Sequence, residues 1–76
     1  MEIKVCGPGC ASCAKAEKIV LEAIGAAGIE ASVQKVTDFA AMAALGVLST
    51  PAIVIDGRIR CVGRVPDKKE VIGWLT

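Results

Sequence analysis

Seventy-six residues allow one domain, 1–76, near the lower limit of what folds alone without disulfides or metals. Hydrophobic residues make up 54% but aromatics only 3%, so the core must be thin and built from alanine and branched aliphatic side chains. A net charge of +1, with no basic cluster beyond Arg58, Arg60 and Arg64 and no aromatics interleaved to stack on bases, argues against a nucleic-acid partner, and no apolar run is long enough to span a membrane.

Residues Glu2 to Cys6 alternate polar and apolar, the period of a strand, and Gly7-Pro8-Gly9 ends it. From Ala11 to about Ala27, Ala16, Val20, Ala23, Ile24 and Ala27 recur at helical spacing, with Lys15, Lys18 and Glu22 on the polar face and Gly28 as the stop. Ile29 to Val36 alternates roughly and is predicted as a second strand, so the first three elements form a βαβ unit with parallel strands. Thr37 or Asp38 can cap a short helix from about Phe39 to Leu45, stopped by Gly46. Thr50-Pro51 leads into a strand over Ala52-Ile53-Val54-Ile55, Asp56-Gly57 reads as a hairpin turn, and Ile59-Arg60-Cys61-Val62 returns. Pro66-Asp67 opens a last helix from Lys68 to Leu75. The predicted order is β-α-β-α-β-β-α.

The stretch Val5 to Lys15, VCGPGCASCAK, holds three of the four cysteines. Cys6 to Cys10 spells CGPGC, Cys10-Ala11-Ser12-Cys13 is a CxxC, and Cys6, Cys10 and Cys13 together read CxxxCxxC. The helix start after the first strand favours the second parsing. At that position the Cys10 sulfur could accept hydrogen bonds from the free N–H groups of Ser12 and Cys13, and the positive end of the helix dipole favours a thiolate, the reactive form. Cys13, one turn in, is expected to be more buried and placed to attack a mixed disulfide formed on Cys10. The segment begins MEIKV, without a basic stretch followed by an apolar signal region, so a cytoplasmic location is expected, where CxxC is more often catalytic or metal-binding than a structural disulfide.

With these features in place, the chain resembles the minimal thioredoxin-fold proteins, in particular the small thioredoxin-like, glutaredoxin-sized family of bacteria and archaea that carry a redox-active disulfide. The resemblance runs through Ile3-Lys4-Val5, Cys10-Ala11-Ser12-Cys13, Thr50-Pro51, Asp56-Gly57, Gly63 and the terminal helix. It implies an α/β thioredoxin-like fold with a four-stranded mixed sheet and a thiol–disulfide oxidoreductase, an electron carrier with exchange activity. It also implies a cis Thr50–Pro51 bond lying against the CxxC, where Thr50 and Pro51 present main-chain groups to a substrate segment. The partners implied are protein disulfides and a reductase of thioredoxin-reductase or glutathione type, with no cofactor beyond the disulfide. Two departures stand out: Gly9 replaces the tryptophan that precedes CxxC in thioredoxins proper, and no buried acid is evident behind Cys13.

Other readings compete. CxxxCxxC is the spacing of radical SAM cluster sites, but such enzymes need a far larger barrel. A heavy-metal-associated metallochaperone shares the first strand, CxxC and helix, yet runs β-α-β-β-α-β and ends on a strand. Metal binding stays open on its own terms, since Cys6, Cys10 and Cys13 could hold a soft ion such as Zn or Cu. Cys61, in phase with Ile59 and out of phase with Arg58 and Arg60, is expected to face the core as a small hydrophobe, and Trp74 and Phe39 to act as packing residues. From Phe39 to Ile55 there is no charged residue. A helix over Phe39 to Leu45 that is apolar all round cannot bury its whole circumference in so small a domain, so part of it is expected to show, as a plain alanine-rich surface or as a docking face for a partner or a weak dimer.

Overall fold

The computed structural model describes residues 1–7 and 11–75. Its elements are β1 (Glu2–Cys6), α1 (Ala11–Ala27), β2 (Ser32–Val36), α2 (Phe39–Ala44), β3 (Ala52–Ile55), β4 (Arg58–Val62) and α3 (Lys68–Leu75). The strands form one sheet in the order β2-β1-β3-β4, with β1 parallel to β2 and antiparallel to β3, and β3 antiparallel to β4. This is a thioredoxin-like arrangement with a mixed four-stranded sheet.

Alternation along the two central strands divides the core. Ile3 and Val5 of β1 and Ile53 and Ile55 of β3 meet Ala16, Val20 and Ala23 of α1 and Val71 and Leu75 of α3. On the other face, Cys6 of β1 and Ala52 and Val54 of β3 meet Met42 of α2 and Val47. All four residues of β3 are buried because helices cover both faces, which is why its sequence is an unbroken apolar run. The buried stripe of α1, Cys13, Ala16, Val20 and Ala23, follows the helical repeat, and its alanines let the helix lie close to the sheet.

Local chemistry sets the ends. Gly28, with φ at +66°, turns the chain out of α1. Asp38 caps α2 by accepting a hydrogen bond from the Ala40 N–H at 3.1 Å. Asp56 and Gly57 both take positive φ, 49° and 81°, as the tight hairpin turn requires, and the Asp56 carboxylate accepts from the Glu2 N–H at 2.9 Å, tying the turn to β1.

Three expectations need correction. The second strand begins at Ser32 rather than Ile29, since Glu2 is the first residue of β1 and pairs with Ser32; residues 29 to 31 run past its end. Cys61 is buried, but not in phase with Ile59. A β-bulge makes Arg60 the extra residue, so Ile59 pairs with Val54 and faces the α2 side, while Cys61 pairs with Ile53 and joins the α1–α3 cluster. Trp74 does pack against that cluster, whereas Phe39 is 69% exposed: α2 has fewer than two turns and presents a single residue, Met42, to the sheet.

Candidate functional site

The C-terminal end of β1 and the first turn of α1 meet at one end of the sheet. Ala11 is the first residue of α1, and two residues on Cys13 is 3% exposed. Its sulfur lies directly over Gly7, the residue after β1, and a Cβ on Gly7 would overlap that sulfur and come within 2.8 Å of the Cys13 Cβ. Gly7 is itself buried and fixed, its N–H donating to the Val36 carbonyl at 2.9 Å and continuing the β1–β2 ladder by one rung. The need for a glycine here goes beyond ending the strand, the only role that Gly7-Pro8-Gly9 has in the sequence pattern. The available signal was a glycine between a strand and a helix whose first turn must fold back over it.

Thr50 and Pro51 reach the same place from β3. The Thr50–Pro51 peptide bond is cis, Pro51 is buried, and Thr50 is half-buried. Cys6 pairs with Ala52 in the antiparallel register, so one step further Pro51 lies across from Gly7. The Pro51 carbonyl accepts from the Gly63 N–H at 2.9 Å, which fastens the loop to the end of β4. Cys13, Gly7 and Pro51 are therefore neighbours. Pro8, Gly9 and Cys10 lie outside the described residues.

Cys6 belongs elsewhere. It is fully buried on the opposite face of the sheet from α1, among Met42, Val47, Ala52 and Val54, and burial pushes its thiol pKa up against the smaller, lowering pull of Lys4. Cys61 is also buried; its Sγ donates to the Arg64 carbonyl at 3.2 Å, and burial raises its pKa despite the lowering influence of Arg64. Both side chains are held as neutral thiols. Among the described residues no charged side chain is buried and no three His, Cys, Asp or Glu side chains gather as a metal site.

Beside Thr50 and Pro51 the surface is apolar. Leu48 is 90% exposed, and Val62, paired with Ala52, is also exposed. Ile59 and Phe39 extend the apolar surface along the α2 side, whereas Met42, buried at 2% exposure, does not contribute.

A family model described as a thioredoxin domain matches residues 1–76. A thioredoxin of the archaeon Methanothermobacter thermautotrophicus (strain Delta H) is 34% identical over 71 residues, which cover 93% of this chain and 92% of its own length.

Proposed function

The chain belongs to the thioredoxin domain family, and from that premise we propose that it is a thiol–disulfide carrier that reduces protein disulfides through Cys10 and Cys13. The observation that carries the reading is the burial of Cys13 in the first turn of α1, at the same end of the sheet as Pro51. Cys10, immediately before Ala11, has the position in which a helix start stabilises a thiolate.

In this mechanism the Cys10 thiolate attacks one sulfur of a substrate disulfide. The substrate S–S bond breaks, one substrate thiolate leaves, and a mixed disulfide forms. Cys13, having given its proton to solvent or to the departing thiolate, attacks the Cys10 sulfur. The Cys10–Cys13 bond forms as the second substrate thiolate departs. The substrate has gained two electrons and the protein has lost two, to be returned by a reductase that uses dithiol or glutathione chemistry. Thr50 and Pro51 line the substrate segment, and the exposed apolar surface from Phe39 to Val62 receives the protein around it. A cytoplasmic setting suits this chemistry, because thiols there are kept reduced.

The competing reading, a soft ion on Cys6, Cys10 and Cys13, has less support. Metal ligation needs thiolates, and Cys6 sits protonated in an apolar cluster on the far face of the sheet from α1. A redox titration of the wild type beside Cys6→Ala, Cys10→Ser and Cys13→Ser, with metal analysis of the reduced protein, separates the two. The expected result is one two-electron couple, kept in Cys6→Ala and lost in both serine variants, with a mixed disulfide trapped in Cys13→Ser. Loss of the couple in Cys6→Ala alone, or stoichiometric metal without a couple, overturns the proposal.

A further inference from the structure

We propose that β2 is a self-pairing edge: a second copy of this chain docks antiparallel along Ser32–Val36, joining two four-stranded sheets into one continuous sheet. The inference stands on the backbone of the sheet and is independent of the dithiol chemistry proposed above.

The sheet has two edges, β2 and β4, and an edge strand offers its unpaired N–H and C=O groups to any strand that can lie beside it. β4 is guarded against this. The bulge at Arg60 breaks its regularity, and the exposed side chains of Arg58 and Arg60 set like charges along it. β2 has neither device. It pairs with β1 over all five residues without a register shift, and its residues are exposed or half-buried, so nothing covers the strand. Its one charged residue, Lys35, is drawn to Glu17 of α1 at 3.7 Å.

Parity decides which backbone groups are free. The Ser32 N–H donates to the Met1 carbonyl, and the Val36 carbonyl accepts from the Gly7 N–H, each at 2.9 Å. In a parallel ladder alternate residues bond the neighbouring strand, so Ser32, Gln34 and Val36 face β1 while Val33 and Lys35 turn their N–H and C=O groups outward. Among the described residues none of those outward groups has a hydrogen-bond partner.

This pattern complements itself. With a two-fold axis at Gln34, Val33 of each copy lies opposite Lys35 of the other, and the N–H of each donates to the C=O of its opposite. Every outward N–H then meets an outward C=O, and none is left over. The side chains agree with that register. Val33 and Lys35 share the α1 face, so the aliphatic stem of each Lys35 lies along the Val33 of the other copy and the two ammonium groups are not opposed. The exposed Gln34 side chains meet at the axis on the other face, where one amide can donate to the other. Because the strands run antiparallel, the two candidate sites point to opposite ends of the joined sheet and stay open. So short a strand buries less than the roughly 1,000 Å² of a stable interface, which makes the dimer a weak one.

The test uses the full chain, reduced with dithiothreitol so that disulfide-linked dimers are absent. Between about 10 μM and about 1 mM, sedimentation equilibrium should show the mean mass rising from monomer toward dimer. Over the same range hydrogen exchange at the Val33 and Lys35 amides should slow at least about threefold, and that at Gln34, already bonded to β1, should change less. Gln34→Lys places two like charges at the axis from an exposed position, so it should hold the mass at monomer with the urea midpoint unchanged. Phe39→Lys, on α2, should leave the association intact. A monomer at about 1 mM, slow exchange at Val33 and Lys35 already in dilute protein, association that survives Gln34→Lys, or association lost in Phe39→Lys would each overturn the proposal.

Discussion

Cys6 and Cys61 show how one side chain can be turned from a reagent into packing. Each is buried, and each has its thiol pKa raised above the ordinary 9.0, with desolvation the largest cause. A raised folded value means that the thiols contribute stability in full below the unfolded pKa and lose it as pH climbs through the folded one. Unfolding measured by urea between neutral pH and strongly alkaline pH should show that loss, and Cys61→Ala should reduce it. At neutral pH, Cys6→Ser should lower stability by about 1–3 kcal/mol, because it places a hydroxyl among the apolar side chains of Met42, Val47 and Val54. An unchanged urea midpoint would show that the hydroxyl finds a partner.

At the scale of elements, the start of α3 is held by a small ionic cluster. Arg64 makes two hydrogen bonds of 2.8 Å to the two carboxylate oxygens of Glu70, and Glu70 accepts from the Asp67 N–H at 3.2 Å, closing the first turn of the helix. These contacts, the Arg64 hydrogen bond first, lower the Glu70 pKa from 4.5 to about 2. A depressed folded value contributes stability above the unfolded pKa and loses it as pH falls through the folded one. Glu70→Gln should flatten the decline in melting temperature between pH about 4.5 and about 2, and high salt should shrink the difference because the pair is exposed. This cluster was not legible in the sequence, since Arg64 and Glu70 are paired by a loop conformation that no periodicity reports. The elements themselves were legible: the repeats of 3.6 and 2 are unmixed in α1, β1 and β3, and Asp56-Gly57 has one strong conformational preference. What failed was phase and exposure. The bulge at Arg60 removes the alternation that predicts burial of Cys61, and an apolar, packing-type residue such as Phe39 does not say which side of a helix of fewer than two turns faces the sheet. Of the candidate site, the proximity of Pro51 to the start of α1 followed from the family resemblance, while the close approach of Cys13 to Gly7 depends on helix-to-sheet distance, which sequence does not encode locally.

Across the whole molecule, exposed Leu48 and Val62 adjoin Thr50 and Pro51, and Phe39 and Ile59 lie on the α2 side, the face of the sheet opposite α1. Leu48 and Phe39 protrude, so charge can be introduced without disturbing the core, which could not be said of Met42. Leu48→Lys and Phe39→Lys should each change stability by less than about 0.5 kcal/mol. If this surface receives protein substrates, both variants should reduce a protein disulfide several-fold more slowly and a small-molecule disulfide at the wild-type rate. Equal slowing of both substrates would place the effect at the dithiol, and no slowing of either would leave the surface without a role in substrate docking. Sedimentation of the same variants reads out self-association through α2.

The extra residue in β4 has a consequence for which changes of length the chain can accept. Because Arg60 has no partner on β3, it divides the strand into two halves of opposite parity. Many side chains should be acceptable at that exposed position. Deleting the residue, however, would join the halves in a single alternation and exchange inside for outside in one of them, turning Cys61 toward the α2 side or Ile59 toward the α1–α3 core. In this hairpin the number of residues between Gly57 and Cys61 is constrained more tightly than their identity.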